Sequence, residues 1–230
     1  MAKRKINWKL YLFEFLSVFF GVTLAFALNK WNEDRKDIRS EIKILTEIRN
    51  GLKLDLYDFN ENIDGHNLGI KACEYFRRVI NNEEFDQDSF QIHYFILLRD
   101  FISVQNKTGY ESLKSKGLEL VRNDSLRHNI IALYDFHFEI IEKLEESYSE
   151  NQFNENYYKP INDKLSRHFN FLENGEFGGL DTPVQLSEKE RKNLMSYLLR
   201  IENNRSFLLI YYNDVKQKIQ DLIKQIDAEI

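Results

Sequence analysis

The amino-acid sequence predicts an all-α protein in which one N-terminal transmembrane helix continues into an elongated antiparallel helical bundle. Three observations predict it. Leu10 to Leu28 carries a single charge, Glu14, and an apolar run of about nineteen residues matches the hydrocarbon thickness of a bilayer. Only 2 Pro and 9 Gly occur among 230 residues, which leaves few helix breakers. Downstream apolar residues recur at intervals of three, four and seven, the spacing that gathers them on one helix face.

The 2 tryptophans, Trp8 and Trp31, stand just outside the run. At 1.5 Å per residue they lie roughly 34 Å apart, so each indole falls near a headgroup boundary as an interface anchor. Lys3, Arg4, Lys5 and Lys9 precede the run, and a basic lead keeps an N-terminus in the cytoplasm. Lys30, Arg35, Lys36 and Arg39 on the other flank weaken that bias. The expected division is residues 1–9 as a basic cytoplasmic N-terminus, 10–28 as the transmembrane helix, and 29–230 as an extracytoplasmic helical bundle domain. A cleaved secretory signal is the alternative, because Ala25-Phe26-Ala27 matches a small-residue cleavage site. Against it, the run exceeds the roughly 7–15 residues of a signal core, and Leu28 prolongs it. The next best apolar stretch, Phe207 to Tyr212, is far too short to cross a bilayer.

Beyond Trp31 the helix need not stop. Ile38, Ile42, Leu45, Ile48, Leu52, Leu56, Phe59, Ile63 and Ile70 keep the rhythm to about Val79, a rod on the order of 70 Å from membrane to tip. Asn81 to Glu84 reads as a turn. A second helix is expected from Asp88 to Gln105, and a short one begins at Gly109 and stops at Gly117, where glycine accepts a positive φ. Tyr110, Leu113 and Leu118 of that stretch are placed to plug the bundle. Asn123 or Asp124 caps a long helix carrying Leu126, Ile130, Leu133, Tyr134, His137, Ile141, Leu144 and Tyr148 inward. It is expected to continue towards Phe171 with a bend near Pro160. Glu173 to Leu186 holds Asn174-Gly175, Gly178-Gly179 and Pro183 and reads as a loop. Ser187 and Glu190 have capping-box spacing, and Leu194, Leu198, Ile201, Leu208, Val215, Ile219, Leu222 and Ile226 then run in near-heptads to the end.

Charge and motif content narrow the chemistry. Residues 1–30 hold five Lys/Arg and one Glu, or +4, which leaves −9 for the rest of a chain of net charge −5. An acidic ectodomain offers nucleic acid no electrostatic attraction. The single cysteine, Cys73, excludes an internal disulfide and reads as a small apolar seam residue, the alternative being a bridge to a partner. His66, His93, His128, His137 and His168 form no Glu-x-x-His pair and no His-Glu-x-x-His motif, so no metal site is assigned. His137 reads as a partly buried seam residue, and His66 with Cys73 is at most a weak ligand pair. Neither a Gly-x-Ser-x-Gly elbow nor a phosphate-cradling loop occurs. No catalytic residue and no cofactor is expected.

Within the run, Glu14, Ser17, Gly21 and Ala25 share one helix stripe. Small residues at this spacing let two spans pack closely in lipid, with Glu14 bonded to a partner or facing a polar cavity. The plainer reading is a snorkelling glutamate beside ordinary small residues.

Glu14, Gly21, Ala25, Asn29, Trp31 and Asn32, then Gly109-Tyr110-Glu111-Ser112-Leu113 through Gly117, Val121, Leu126 and Arg127, carry a resemblance. The chain resembles an uncharacterised family of bacterial single-span inner-membrane proteins with a helical extracytoplasmic domain. The resemblance covers roughly residues 10 to 150. Its distinctive part is the Asn-x-Trp-Asn-Glu exit from the span. It implies a retained anchor in the inner membrane of a Gram-negative cell with the bulk of the chain in the periplasm. It implies no activity. The expected function is a non-catalytic membrane-anchored interaction or scaffold protein that binds copies of itself or another envelope protein. The alternative is a sensory ectodomain that binds a small molecule and signals through a membrane partner.

Overall fold

The computed structural model describes residues 8–230, so the basic lead at Lys3, Arg4 and Lys5 lies outside the described residues. The apolar rhythm becomes one helix, α1 (Trp8–Asn81, 74 residues), about 110 Å long. It stops where Asn82 takes a positive φ of 56°, a conformation asparagine tolerates better than most residues. The Asn82 side chain then clips the chain entering the last helix: its Oδ1 accepts from Val184 N (2.6 Å) and its Nδ2 donates to Val184 O (3.2 Å).

The last helix, α7 (Glu188–Glu229), opens on the predicted capping box between Ser187 and Glu190. It returns antiparallel along α1, paired by Arg77 with Glu202 at one end and by Arg49 with Asp227 (3.0 Å) at the other. All eight of its predicted seam residues are buried, against Leu45, Ile48, Leu52, Phe59 and Ile63 of α1. Each such side chain contributes about 1.5–3 kcal/mol through burial. Ile42 breaks the expectation and is 43% exposed. The bundle closes on α1 only from about Glu41, and the helix before it stands clear.

The third wall is built from α2 (Phe90–Leu97), α3 (Thr108–Lys116), α4 (Asp124–Ala132), α5 (Phe138–Glu142) and α6 (Phe153–Leu165). The bundle is elongated and antiparallel as predicted, with differences in its middle. The second helix ends at Leu97, and Leu98 to Lys107 is a strap without regular secondary structure. In the fourth, π-helical turns at Leu133–His137 and Lys143–Ser147 flank α5. Tyr134, Phe138, Ile141 and Glu145 are buried at spacings of four, three and four, so Phe138 and Glu145 take the places expected for His137 and Leu144 while Ile141 keeps its predicted one; His137 and Leu144 are half-buried, and Tyr148 is exposed. The helix breaks at Tyr148 to Gln152, ahead of Pro160, which sits inside α6. Two side-chain amides account for the break: Asn151 Nδ2 donates to Leu144 O (2.8 Å) and Gln152 Nε2 to Glu145 O (2.5 Å), taking carbonyls that a continuing helix would bond.

The predicted loop is partly a hairpin. β1 (Phe169–Phe171) and β2 (Phe177–Leu180) pair antiparallel around Asn174-Gly175, where Gly175 has φ of 83°. Phe169 and Phe177 pack on Phe90, closing the distal end of the bundle. The predicted plug holds for Tyr110 and Leu113, both buried, while Leu118 is half-buried. Gly109 makes the α3 approach to α1 possible, since a Cβ there would lie 2.7 Å from the Ile48 nitrogen.

Candidate functional site

Two features stand out from an ordinary bundle. The first is the free segment of α1. It is long and apolar enough to cross a membrane, and none of its most apolar window is buried. Phe13, Phe26 and Val18 are 71%, 72% and 67% exposed, a continuous apolar surface far larger than water tolerates. Trp8 and Trp31 are exposed at its two ends, and the Arg35 guanidinium lies 4.9 Å from the Trp31 ring. Glu14, Ser17, Gly21 and Ala25 are exposed, and a Cβ on Gly21 would meet nothing within 4 Å. At 100° per residue their stripe lies roughly opposite the face that Leu45, Ile48 and Leu52 turn towards the bundle. A helix packing on the stripe would therefore sit on the side away from α7.

The second feature is a grip on the strap, built from isolated polar residues in the helix seams. A segment without secondary structure needs partners for its backbone groups, and α1, α7 and the second π-helical turn supply some. From α7, Arg205 is fully buried; its Nη2 donates to the carbonyls of Leu97 (3.1 Å) and Arg99 (2.8 Å), and its guanidinium lies 4.2 Å from the Phe153 ring. From α1, Asp58 accepts from Val104 N (3.0 Å) and Asp55 from Asn106 N (2.7 Å). From the second π-helical turn, Glu145 accepts from Ser103 N (3.2 Å) and Ser103 Oγ (3.0 Å), and also from the Tyr212 hydroxyl of α7. The strap answers with Asp100, which accepts from Phe153 N (2.7 Å) at the start of α6.

Two glycines of α1 make room. A Cβ on Gly65 would overlap the Phe101 ring, and one on Gly69 would lie 2.6 Å from Arg205 Cζ. Burial sets the charges. It pushes the Glu145 carboxyl up to about 7, against the hydrogen bonds from Tyr212 and Ser103. It pushes Asp55 up to about 6, partly offset by the Asn106 amide. Burial and then the Arg205 charge hold His66 down at about 3, so its ring is neutral and accepts at Nδ1 from Arg205 Nη1 (3.2 Å). Burial lowers Arg205 to about 10, which leaves it a cation at neutral pH.

Cys73 is buried in the α1 seam, its thiol pushed up to about 12 by burial. Among the described residues no three His, Cys, Asp or Glu are grouped to hold a metal ion. His137 is half-buried beside a surface recess of about 180 Å³ with Leu133, Lys218 and Asp221, and a larger groove of about 360 Å³ lies between Gln87, Gln91 and β2. Glu145 lines neither. The grip was missed in the sequence, although Arg205 and Tyr212 occupy the two seam positions where the α7 heptads lapse. No family model, curated protein or solved structure matches the chain.

Proposed function

We propose that the chain is a non-catalytic, membrane-anchored helical-bundle protein of the bacterial envelope that serves as an interaction or scaffold module. The observation that carries this reading is the fully exposed apolar length of α1, which passes without interruption into the bundle core. Lipid is the solvent that such a surface requires. The tryptophans at its ends and the basic lead favour a single crossing with the bundle in the periplasm, in line with the resemblance to inner-membrane proteins. Helix runs through Ala25-Phe26-Ala27, which favours a retained anchor over a cleaved signal. In this reading the partner face is Glu14, Ser17, Gly21 and Ala25, and the partners are the bilayer together with a second copy or another envelope protein. The acidic ectodomain offers nucleic acid no electrostatic attraction.

The sensory alternative draws on one further observation: the helix that would carry a signal is the same one that holds Asp55, Asp58 and His66 against the strap. Affinity purification of the full chain from mild detergent tests the leading reading. A stoichiometric co-purifying protein or a discrete homo-oligomer is expected. A monomer without companions under every solubilisation condition contradicts it. Intact-mass analysis tests the anchor separately, because a mature form beginning at Leu28 would overturn it.

A further inference from the structure

Single exposed apolar residues are ordinary on a folded surface, whereas a connected row of them marks a contact. Leu54, Tyr57 and Leu68 of α1, Phe95 of α2, and Ile102 and Val104 of the strap are each between 45% and 75% exposed. Local contacts join them along one side of the bundle. Val104 N is held by Asp58 (3.0 Å), which is next to Tyr57 and one turn from Leu54. The Phe101 ring lies on Gly65, one turn before Leu68, and the Arg99 guanidinium stands 5.7 Å from that ring and 5.1 Å from the Phe95 ring. The row exposes on the order of 700 Å² of apolar side chain, more than an ordinary patch and close to the ~800 Å² that each partner of a stable complex buries. Lipid does not reach it, because Gly65 stands about 50 Å along α1 from Trp31. We propose that this side of the bundle binds the same side of a second copy of the chain, anchored in the same membrane.

The charges beside the row identify the occupant. Two copies held by α1 in one bilayer stand parallel and at one height, and in this respect the inference rests on the anchored reading. A two-fold axis along the membrane normal then sets each residue against residues of its own level. At the level of Gly65 the two flanks of the row carry opposite charge. On the strap flank Arg99 is exposed beside the Phe101 ring, and on the α1 flank Glu61 and Asp64 are exposed in the turn that holds Gly65. Among the described residues, none of the three makes an ion pair. Two-fold pairing brings the cation of each copy to the two carboxylates of the other, a match made twice and at the same height. At 100° per residue, Tyr57 and Leu68 also lie on the side of α1 that carries Gly21, away from α7.

Photo-crosslinking of the full chain in membranes of expressing cells tests the dimer, with p-benzoylphenylalanine in place of Val104 and, as a control, in place of Ile210, an exposed residue of α7. A band at twice the mass of the chain is expected from position 104 and not from 210, with peptide mass analysis joining position 104 to residues 54–68 of a second copy. Arg99→Glu should lower the yield of that band several-fold, since it sets like charges against each other. Adding Glu61→Arg and Asp64→Arg to the same chain should restore it, a rescue that only a partner carrying the same substitutions can give. No dimer band from 104, an equal band from 210, a crosslink to a different protein, or a charge swap that fails to restore the yield overturns the proposal. Carbonate washing of the same membranes separates the two readings. A chain that stays with the bilayer and gives no dimer band overturns the dimer alone, and a chain released by the wash overturns the anchor, while the band and the swap still decide the dimer.

Discussion

Arg205 sets the terms of the interior. A fully buried guanidinium with no carboxylate bonded to it is costly, and it is tolerated because the exposed carbonyls that end α2, the His66 nitrogen and the Phe153 ring surround it. Replacing Arg205 with Met should leave those carbonyls unpaired and lower the unfolding free energy by on the order of 3 kcal/mol, measured by denaturant unfolding of the detergent-solubilised chain. Gly65→Ala should cost about 1–3 kcal/mol in the same assay, because its methyl overlaps the Phe101 ring and must displace it. The pH profile carries its own signature. Asp55 and Glu145 have folded values above their ordinary ones, so their contribution is complete below about pH 4 and lost as pH rises towards 7. His66 is lowered, so its contribution is lost as pH falls below about 6.5. Two raised carboxyls outweigh one lowered imidazole, so wild-type stability should rise as pH falls from about 7 to 5, and Glu145→Gln should lose most of that rise because Asp55 and His66 then nearly cancel. None of these residues could be assigned a partner from sequence, because a lone charge in an apolar rhythm has no visible mate until the chain folds.

The long helices were legible and the short ones were not. α1 and α7 each bury one continuous stripe against the other, so periodicity alone predicts them, and the Ser187 capping box marks where α7 begins. Ser187→Ala should lower stability by about 1 kcal/mol, measured as a shift in the denaturation midpoint. Leu97, Leu98, Phe101 and Ile102 continue the helical spacing of α2, yet the backbone there bonds to carboxylates more than forty residues distant. No local pattern reports such partners. The π-helical turns have no signature in a period of 3.6, and the buried set there runs Tyr134, Phe138, Ile141 and Glu145, with Phe138 and Glu145 in the places expected for His137 and Leu144. The aromatic alternation of Phe169 and Phe171 around Asn174-Gly175 was the missed sign of the hairpin. On the free part of α1, Gly21 faces open space. Gly21→Ile should reduce oligomeric or partner-bound species in mild detergent without changing the unfolding of the bundle, a pairing that chemical cross-linking and denaturation can check together.

Taken together, the chain is one long helix used twice. Its C-terminal part, from about Glu41, is a wall of a water-facing bundle, and its N-terminal part offers apolar side chains to every side. Overall hydropathy hides this division, whereas the run from Leu10 to Leu28 and the acidic remainder disclose it. The proposal that the exposed length lies in a bilayer governs location, orientation and partner face alike. Alkaline carbonate washing of membranes from expressing cells, followed by immunoblotting of both fractions for the intact chain, tests it. The full-length protein should stay entirely with the pelleted bilayer. Its appearance intact in the wash would contradict the account.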